Sequence, residues 1–190
     1  MLNKRDKLKY IKQYESKNKK LNDLRVIHNS EAFNYTIYSE PAGIQYKTDI
    51  NTALVMMSKL NPKYVINLKI YLRTDFEFYS SDTHNRVIGM YKENTIYLSP
   101  VIYNTDNQTH YMLAQDIRHE CVHHLVAHVD DFSYLTEDKE ERLATDIAKW
   151  YGTLDVAERK MREQRIYSLF QGNQIKLFEL LFDHKYNLTL

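Results

Sequence analysis

The sequence predicts an α+β protein in which a small, mostly antiparallel sheet precedes a helix-rich C-terminal half. Three observations carry this. Ile66, Leu68, Ile70 and Leu72 alternate with Asn67, Lys69, Tyr71 and Arg73, the period-two pattern of a strand with one buried face. Residues 86–91 and 95–98 are two short runs joined by Lys92-Glu93-Asn94, which reads as a hairpin. Beyond residue 105 the apolar spacing lengthens: Leu113, Ile117, Cys121 and Leu125 recur four apart, as on one face of a helix. A helix, a small sheet and then helices is an α+β order.

The elements follow along the chain. Residues 3–27 read as a helix with a thin apolar stripe of Leu8, Ile11, Tyr14, Leu21 and Leu24. Tyr35-Thr36-Ile37-Tyr38 and Ile44-Gln45-Tyr46 read as extended segments flanking the turn signal Pro41-Ala42-Gly43. Asp49 is placed to cap a helix carrying Ile50, Ala53, Leu54, Met57 and Leu60. Asn61-Pro62 stops it, because the residue before a proline is driven out of the helical region. Gly89, inside the first hairpin strand, permits close backbone approach or a bulge. Thr105-Asp106-Asn107-Gln108 is a capping-box signal for a long helix running through Val129. Thr136 caps the next helix, with Glu137 and Asp138 in its first turn and Leu143, Ala144, Ile147, Trp150 and Tyr151 on its core face. Gly152 is placed to end that helix. Asp155 starts a third helix that ends near Gly172, and a fourth runs from Asn173 to His184.

Composition narrows the function. A chain of 190 residues that is 43% hydrophobic has the material for one real core. The formal net charge of +1 excludes a whole-chain polyanion binder, although residues 4–25 hold nine Lys or Arg against three Asp or Glu. That run reads as a solvated helix face, or alternatively as a docking surface for nucleic acid or an acidic partner. Cys121 is the only cysteine, so no intrachain disulfide forms. No window has the apolar length of a membrane span or a signal peptide. A cytoplasmic protein without membrane association is expected. The sixteen tyrosines supply apolar area with a polar tip, which suits the margin of a core.

The informative stretch is His119-Glu120-Cys121-Val122-His123, an H-E-x-x-H pattern. Two histidines four apart on a helix are about 40° apart around its axis, so both imidazoles reach one metal. Neutral imidazole suits Zn2+. Glu120 points beside the metal rather than at it, where it can hold a water and take its proton. The alternative is a polar, His-rich helix face, since five of the eight histidines lie between 110 and 128. His128 is rotated about 140° from His123 and cannot share its metal; His124 is one residue off the face. A third ligand is therefore sought on the next helix, where Glu137, Glu140 and Glu141 all stand. Helical phase puts Glu140 at the centre of the apolar arc and Glu141 at its edge. Cys121 falls in the apolar row and reads as a small buried hydrophobe. Tyr134 and Tyr151 are candidates for stabilising an oxyanion.

His119-Glu120-x-x-His123, then 17 residues, then Glu141-Arg142-Leu143-Ala144-Thr145-Asp146-Ile147-Ala148, resembles the ImmA/IrrE-type metallopeptidases, small gluzincin-like zinc enzymes. Their second motif is similar to E-x-x-A-N/D-x-F-A; Glu141, Ala144 and Ala148 match it, while Thr145 and Ile147 depart from it. The resemblance spans roughly residues 50–151 and implies a minimal zincin-like fold. With the helical patterns on either side, the chain is expected to divide into a basic N-terminal helix (1–30), a metallopeptidase-like core (31–152) and a C-terminal helical extension (153–190). The resemblance also implies Zn2+ held by His119, His123 and Glu141, with Glu120 as the general base. In gluzincins the Asn/Asp position steadies a zinc histidine, so Thr145 puts that support in question.

The expected function is a zinc-dependent metallopeptidase that cuts a specific regulatory protein, such as a repressor. One alternative is a SprT-like, DNA-associated metalloprotease, which needs a third histidine after the motif; His184 is the only one beyond His128. Another is a catalytically inert zinc-containing binding module. Nucleic acid is the less favoured partner.

Overall fold

The computed structural model describes residues 23–74, 76, 78–79, 86–87, 89–99, 106–133, 135–169 and 181. Five strands form the main sheet: β1 (Arg25–Ser30), β2 (Tyr35–Ser39), β3 (Lys69–Leu72), β6 (Gly89–Lys92) and β7 (Thr95–Leu98), in the order β1-β2-β3-β7-β6. β4 (Phe78–Tyr79) and β5 (Arg86–Val87) make a separate antiparallel pair. Among the described residues four α-helices are delimited: α1 (Lys47–Leu60), α2 (Asp106–His128), α3 (Glu137–Gly152) and α4 (Val156–Ser168). The class is α+β, as expected.

The sheet is mixed rather than mostly antiparallel. β1–β2 and β6–β7 run antiparallel, whereas β2–β3 and β3–β7 run parallel. The reason lies in the connections. β2 reaches β3 through α1, and β3 reaches β7 only after β4, β5 and β6 have intervened; long crossovers bring strands in parallel, while tight turns return them antiparallel. The tight turn here is Glu93-Asn94, both at positive φ (49° and 61°). That two-residue geometry matches the twist of the flanking strands. Lys92 therefore belongs to β6 and not to the loop. The expected strand over 86–91 is shared out: Arg86–Val87 pairs with β4, and Gly89–Lys92 pairs with β7.

Ile37, Ile70 and Ile96 stand in register across β2, β3 and β7, all fully buried beneath the helices. The next row, Tyr38, Tyr71 and Tyr97, turns to the opposite face. Its rings meet edge to face at 4.9 and 5.5 Å and are half-buried. This is one place where the tyrosine-rich composition is used: a phenol covers apolar sheet while its hydroxyl stays near water. The alternation expected from Ile66 holds for Leu68, Ile70 and Leu72 but not for Ile66, which is exposed. Asn67, at φ 60°, turns the chain before the strand begins.

Two other local expectations give way. The helix expected over residues 3–27 cannot extend past 24, since Arg25–Ser30 is an edge strand with no prolines or glycines to oppose pairing; residues 1–22 lie outside the described residues. Pro41–Tyr46 is a 3-10 helix rather than turn and strand, because proline's fixed φ suits a first helical position. α1 then follows directly from Lys47, with Asp49 in its first turn rather than at its cap, and stops at Asn61 as expected. Asp155 does cap α4, accepting from the Ala157 and Glu158 N–H groups. The Thr105 cap and the expected fourth helix fall outside the described residues, apart from the buried helical Leu181.

α2 is the central element, packed on α1, on α3 and under β6. Its predicted apolar row of Leu113, Ile117, Cys121 and Leu125 is fully buried, and Arg118, Glu120 and His124 on its other sides are largely buried. A helix enclosed on several sides can hold polar groups only where partners meet them. Arg118 donates from Nε to the Ala148 carbonyl of α3 at 3.2 Å. Gly152 makes this contact fit: a Cβ there would sit 2.7 Å from an Arg118 guanidinium nitrogen. Gly152 thus ends inside α3, with Thr153 as the C-cap, and serves packing rather than the expected left-handed cap.

Candidate metal centre

His119, Glu120 and His123 occupy the middle of α2, and Glu140 and Glu141 lie near the start of α3. The Nε2 atoms of His119 and His123 face each other at 3.1 Å. The Glu141 carboxylate closes the triangle, 3.3 Å from His119 Nε2 and 3.5 Å from His123 Nε2. These three residues are grouped so that they could hold a metal ion, each offering one ligand atom within 4.8 Å of the others. A tetrahedral zinc with ligands at the usual distances would set its ligand atoms about 3.3 Å apart. The residues present fit that ion.

The proton inventory fits as well. His123 Nδ1 lies 2.6 Å from Glu140 Oε1. A carboxylate only accepts, so Nδ1 carries the hydrogen and donates it. The Nε2 lone pair is then left facing His119 and Glu141, the orientation a cation needs. Burial by itself would lower the His123 pKa; the hydrogen bond to Glu140 and the charges of Glu120, Glu141 and Glu140 together raise it.

Glu120 is 8% exposed. Burial pushes its carboxyl pKa up, His119 and His123 pull it down, Glu141 raises it, and the Tyr91 backbone N–H, donating to it, lowers it. The balance is a carboxylate with an increased affinity for a proton. β6 comes close enough for this because residue 89 is glycine: a Cβ there would lie 3.2 Å from Glu120 Oε1. The close approach expected of Gly89 is to this side chain.

Two further histidines of α2, His124 and His128, separate cleanly from the pair. His124 is buried, donates from Nε2 to the Ile66 carbonyl at 2.9 Å and so presents Nδ1 as acceptor to the Tyr91 hydroxyl at 3.2 Å. Burial lowers its pKa to about 4, so it is neutral. His128 bonds the Asn94 side chain in the hairpin turn. Both tie α2 to the sheet. Cys121 is a buried thiol whose pKa is raised by burial, in keeping with a packing role. Tyr151 lies beside Arg118 and Arg159, and Tyr134 falls outside the described residues.

In the sequence Glu140 and Glu141 are rivals for the third ligand position. The structure brings Glu141 to both Nε2 atoms and Glu140 to the far nitrogen of one ring. The apolar-arc phase of Glu140 is real, and its side chain is 29% exposed against 57% for Glu141; the buried position leads behind the ring. Glu137 is exposed. The Tyr91 N–H on Glu120 was missed. A backbone donor leaves no mark in residue identity; Gly89 two residues earlier was the only signal. Comparison with protein-family models, curated proteins and solved structures returns no match. No helix among the described residues is long and apolar enough to cross a membrane.

Proposed function

We propose that this chain is a zinc-dependent metallopeptidase, with His119, His123 and Glu141 holding Zn2+ and Glu120 as general base. One observation carries the reading: the convergence of His119 Nε2, His123 Nε2 and the Glu141 carboxylate next to a buried Glu120 that stands outside that trio. When bound, zinc supplies Lewis acidity, polarising a peptide carbonyl and making a nearby water more acidic. Glu120 accepts that water's proton as it attacks and delivers it to the leaving amine. Moving one proton from the water to the leaving amine is general acid–base work.

The edge of the sheet orients the substrate in this reading. β6 is an outer strand, whereas Thr95–Leu98 lies inside the sheet. Tyr91 turns its N–H away from β7 toward Glu120. Gly89, two residues earlier, has the same orientation by strand alternation, so its backbone groups lie along the open edge. An extended polypeptide pairing there runs past Glu120. The resemblance to ImmA/IrrE-type enzymes supports a regulatory protein, such as a repressor, as substrate. The placement of a glutamate at the third ligand position supports a gluzincin-like rather than a SprT-like enzyme. A cytoplasmic location belongs to the same reading.

The test is zinc content and cleavage of candidate regulators by wild type and Glu120→Gln. The expected result is about one zinc in each, with cleavage lower in the variant by about 10²–10⁴-fold. Equal cleavage by both proteins would sink the mechanism. Cleavage by neither, with zinc in both, would favour a binding module.

A further inference from the structure

We propose that Glu140 is the residue that positions His123, filling in this chain the role that the resembled second motif gives to its Asn/Asp. This rests on the proposed function. The observation behind it is the 2.6 Å contact between Glu140 Oε1 and His123 Nδ1. A charge-assisted bond of that length in a mostly buried setting is strong and directional, and His123 is only 13% exposed.

The position that the motif reserves for this task is Thr145, one turn after Glu141, and it carries no charge. The adjacent Asp146 is engaged elsewhere: Arg162 of α4 donates to its carboxylate at 2.7 Å, and Arg165 lies 3.9 Å from it. Glu140 replaces them from the other side of Glu141. Consecutive helical residues leave the axis about 100° apart, so two neighbouring glutamates can reach the two nitrogens of one ring. Glu141 approaches Nε2 and Glu140 takes Nδ1–H. One turn of α3 thus supplies both a ligand and the partner that orients another ligand. Holding Nδ1–H fixes the tautomer, aims the Nε2 lone pair and makes the imidazole a better donor to a metal.

The experiment titrates wild type, Glu140→Ala, Glu140→Gln and Glu141→Ala with zinc against a competing chelator, and follows His123 by imidazole ¹⁵N NMR in the zinc form. Glu140→Ala should weaken zinc by about 10–100-fold, the range for losing a histidine's outer partner. Glu141→Ala should weaken it more. Glu140→Gln, whose amide oxygen still accepts from Nδ1–H, should recover most of the affinity while the Nδ1 proton resonance moves upfield. Zinc affinity of Glu140→Ala equal to wild type overturns the proposal, as does a loss matching that of Glu141→Ala, which would make Glu140 a ligand. Should Glu140→Ala fail to fold, an unchanged Nδ1 resonance in Glu140→Gln overturns it. Absence of zinc binding by the wild type would instead defeat the proposed function, a separate outcome.

Discussion

His119, His123, His124 and His128 lie on one helix within ten residues, yet they divide into two pairs with different chemistry. The first two turn Nε2 atoms toward each other and toward Glu141. The second two spend their ring nitrogens on the hairpin and on the Ile66 carbonyl. Residue-level consequences follow. His119→Ala or His123→Ala should abolish zinc binding or weaken it by several orders of magnitude. His128→Ala should leave it within a few-fold of wild type. Metal analysis after dialysis separates these outcomes, and equal zinc in His119→Ala, His123→Ala and wild type would refute the ligand assignment. The four-residue spacing made the first pair legible in the sequence, since helix geometry alone puts such residues on one face. The roles of His124 and His128 were not legible, because their partners lie 33 to 58 residues away in the chain.

At the scale of elements, α2 and α3 must keep a fixed rotation and separation for Glu141 to meet two rings on another helix. The Arg118 bond to the Ala148 carbonyl and the space left by Gly152 are a second point of registry between the same helices. Gly152→Ala should therefore destabilise the fold, although alanine favours a helix. The propensity gain is about 1 kcal/mol, while displacing a buried guanidinium from its acceptor costs about 1.5–3 kcal/mol. A net loss of about 1 kcal/mol is expected in the urea midpoint at constant slope. An increase in stability would show that Arg118 relaxes without losing its bond. β6 plays the matching part on the other side, with Gly89 and the Tyr91 N–H against Glu120. The motif is thus supported by a strand edge above it and a helix beside it.

For the whole molecule, the sheet supplies a buried isoleucine row to the helices, and α4 braces α3 from behind through the Asp146–Arg162 pair. Both side chains of that pair are largely buried, at 10% and 12% exposed. Removing Arg162 leaves the largely buried Asp146 carboxylate with Arg165 at 3.9 Å as its remaining cation, which costs about 1–3 kcal/mol. Arg162→Ala should lower stability by that amount, read from chemical unfolding. Its zinc affinity should stay near wild type in the folded state, because Asp146 faces α4 and not the histidines. A large loss of zinc with unchanged stability would place Asp146 in the metal centre after all, and would also undercut the role assigned to Glu140.

The sequence by itself determined the local features: the helix carrying H-E-x-x-H, the hairpin before it, the stop at Asn61-Pro62, the cap at Asp155 and the buried alternation of Leu68, Ile70 and Leu72. Each is decided by dihedral preference or by side-chain period within a few residues. It misread Arg25–Ser30 and Pro41–Tyr46, where local patterns were weak and partners across the sheet, or proline's φ, prevailed. Only the tertiary structure decided that the central strands pair in parallel. Only it decided that Glu141 faces the Nε2 atoms while Glu140 goes behind the ring, and that Gly89 lies over Glu120. Those outcomes depend on how α3 and β6 approach α2, a relation set by packing of residues far apart in the chain. Three glutamates within five positions look alike along the sequence; their distances to two imidazoles do not.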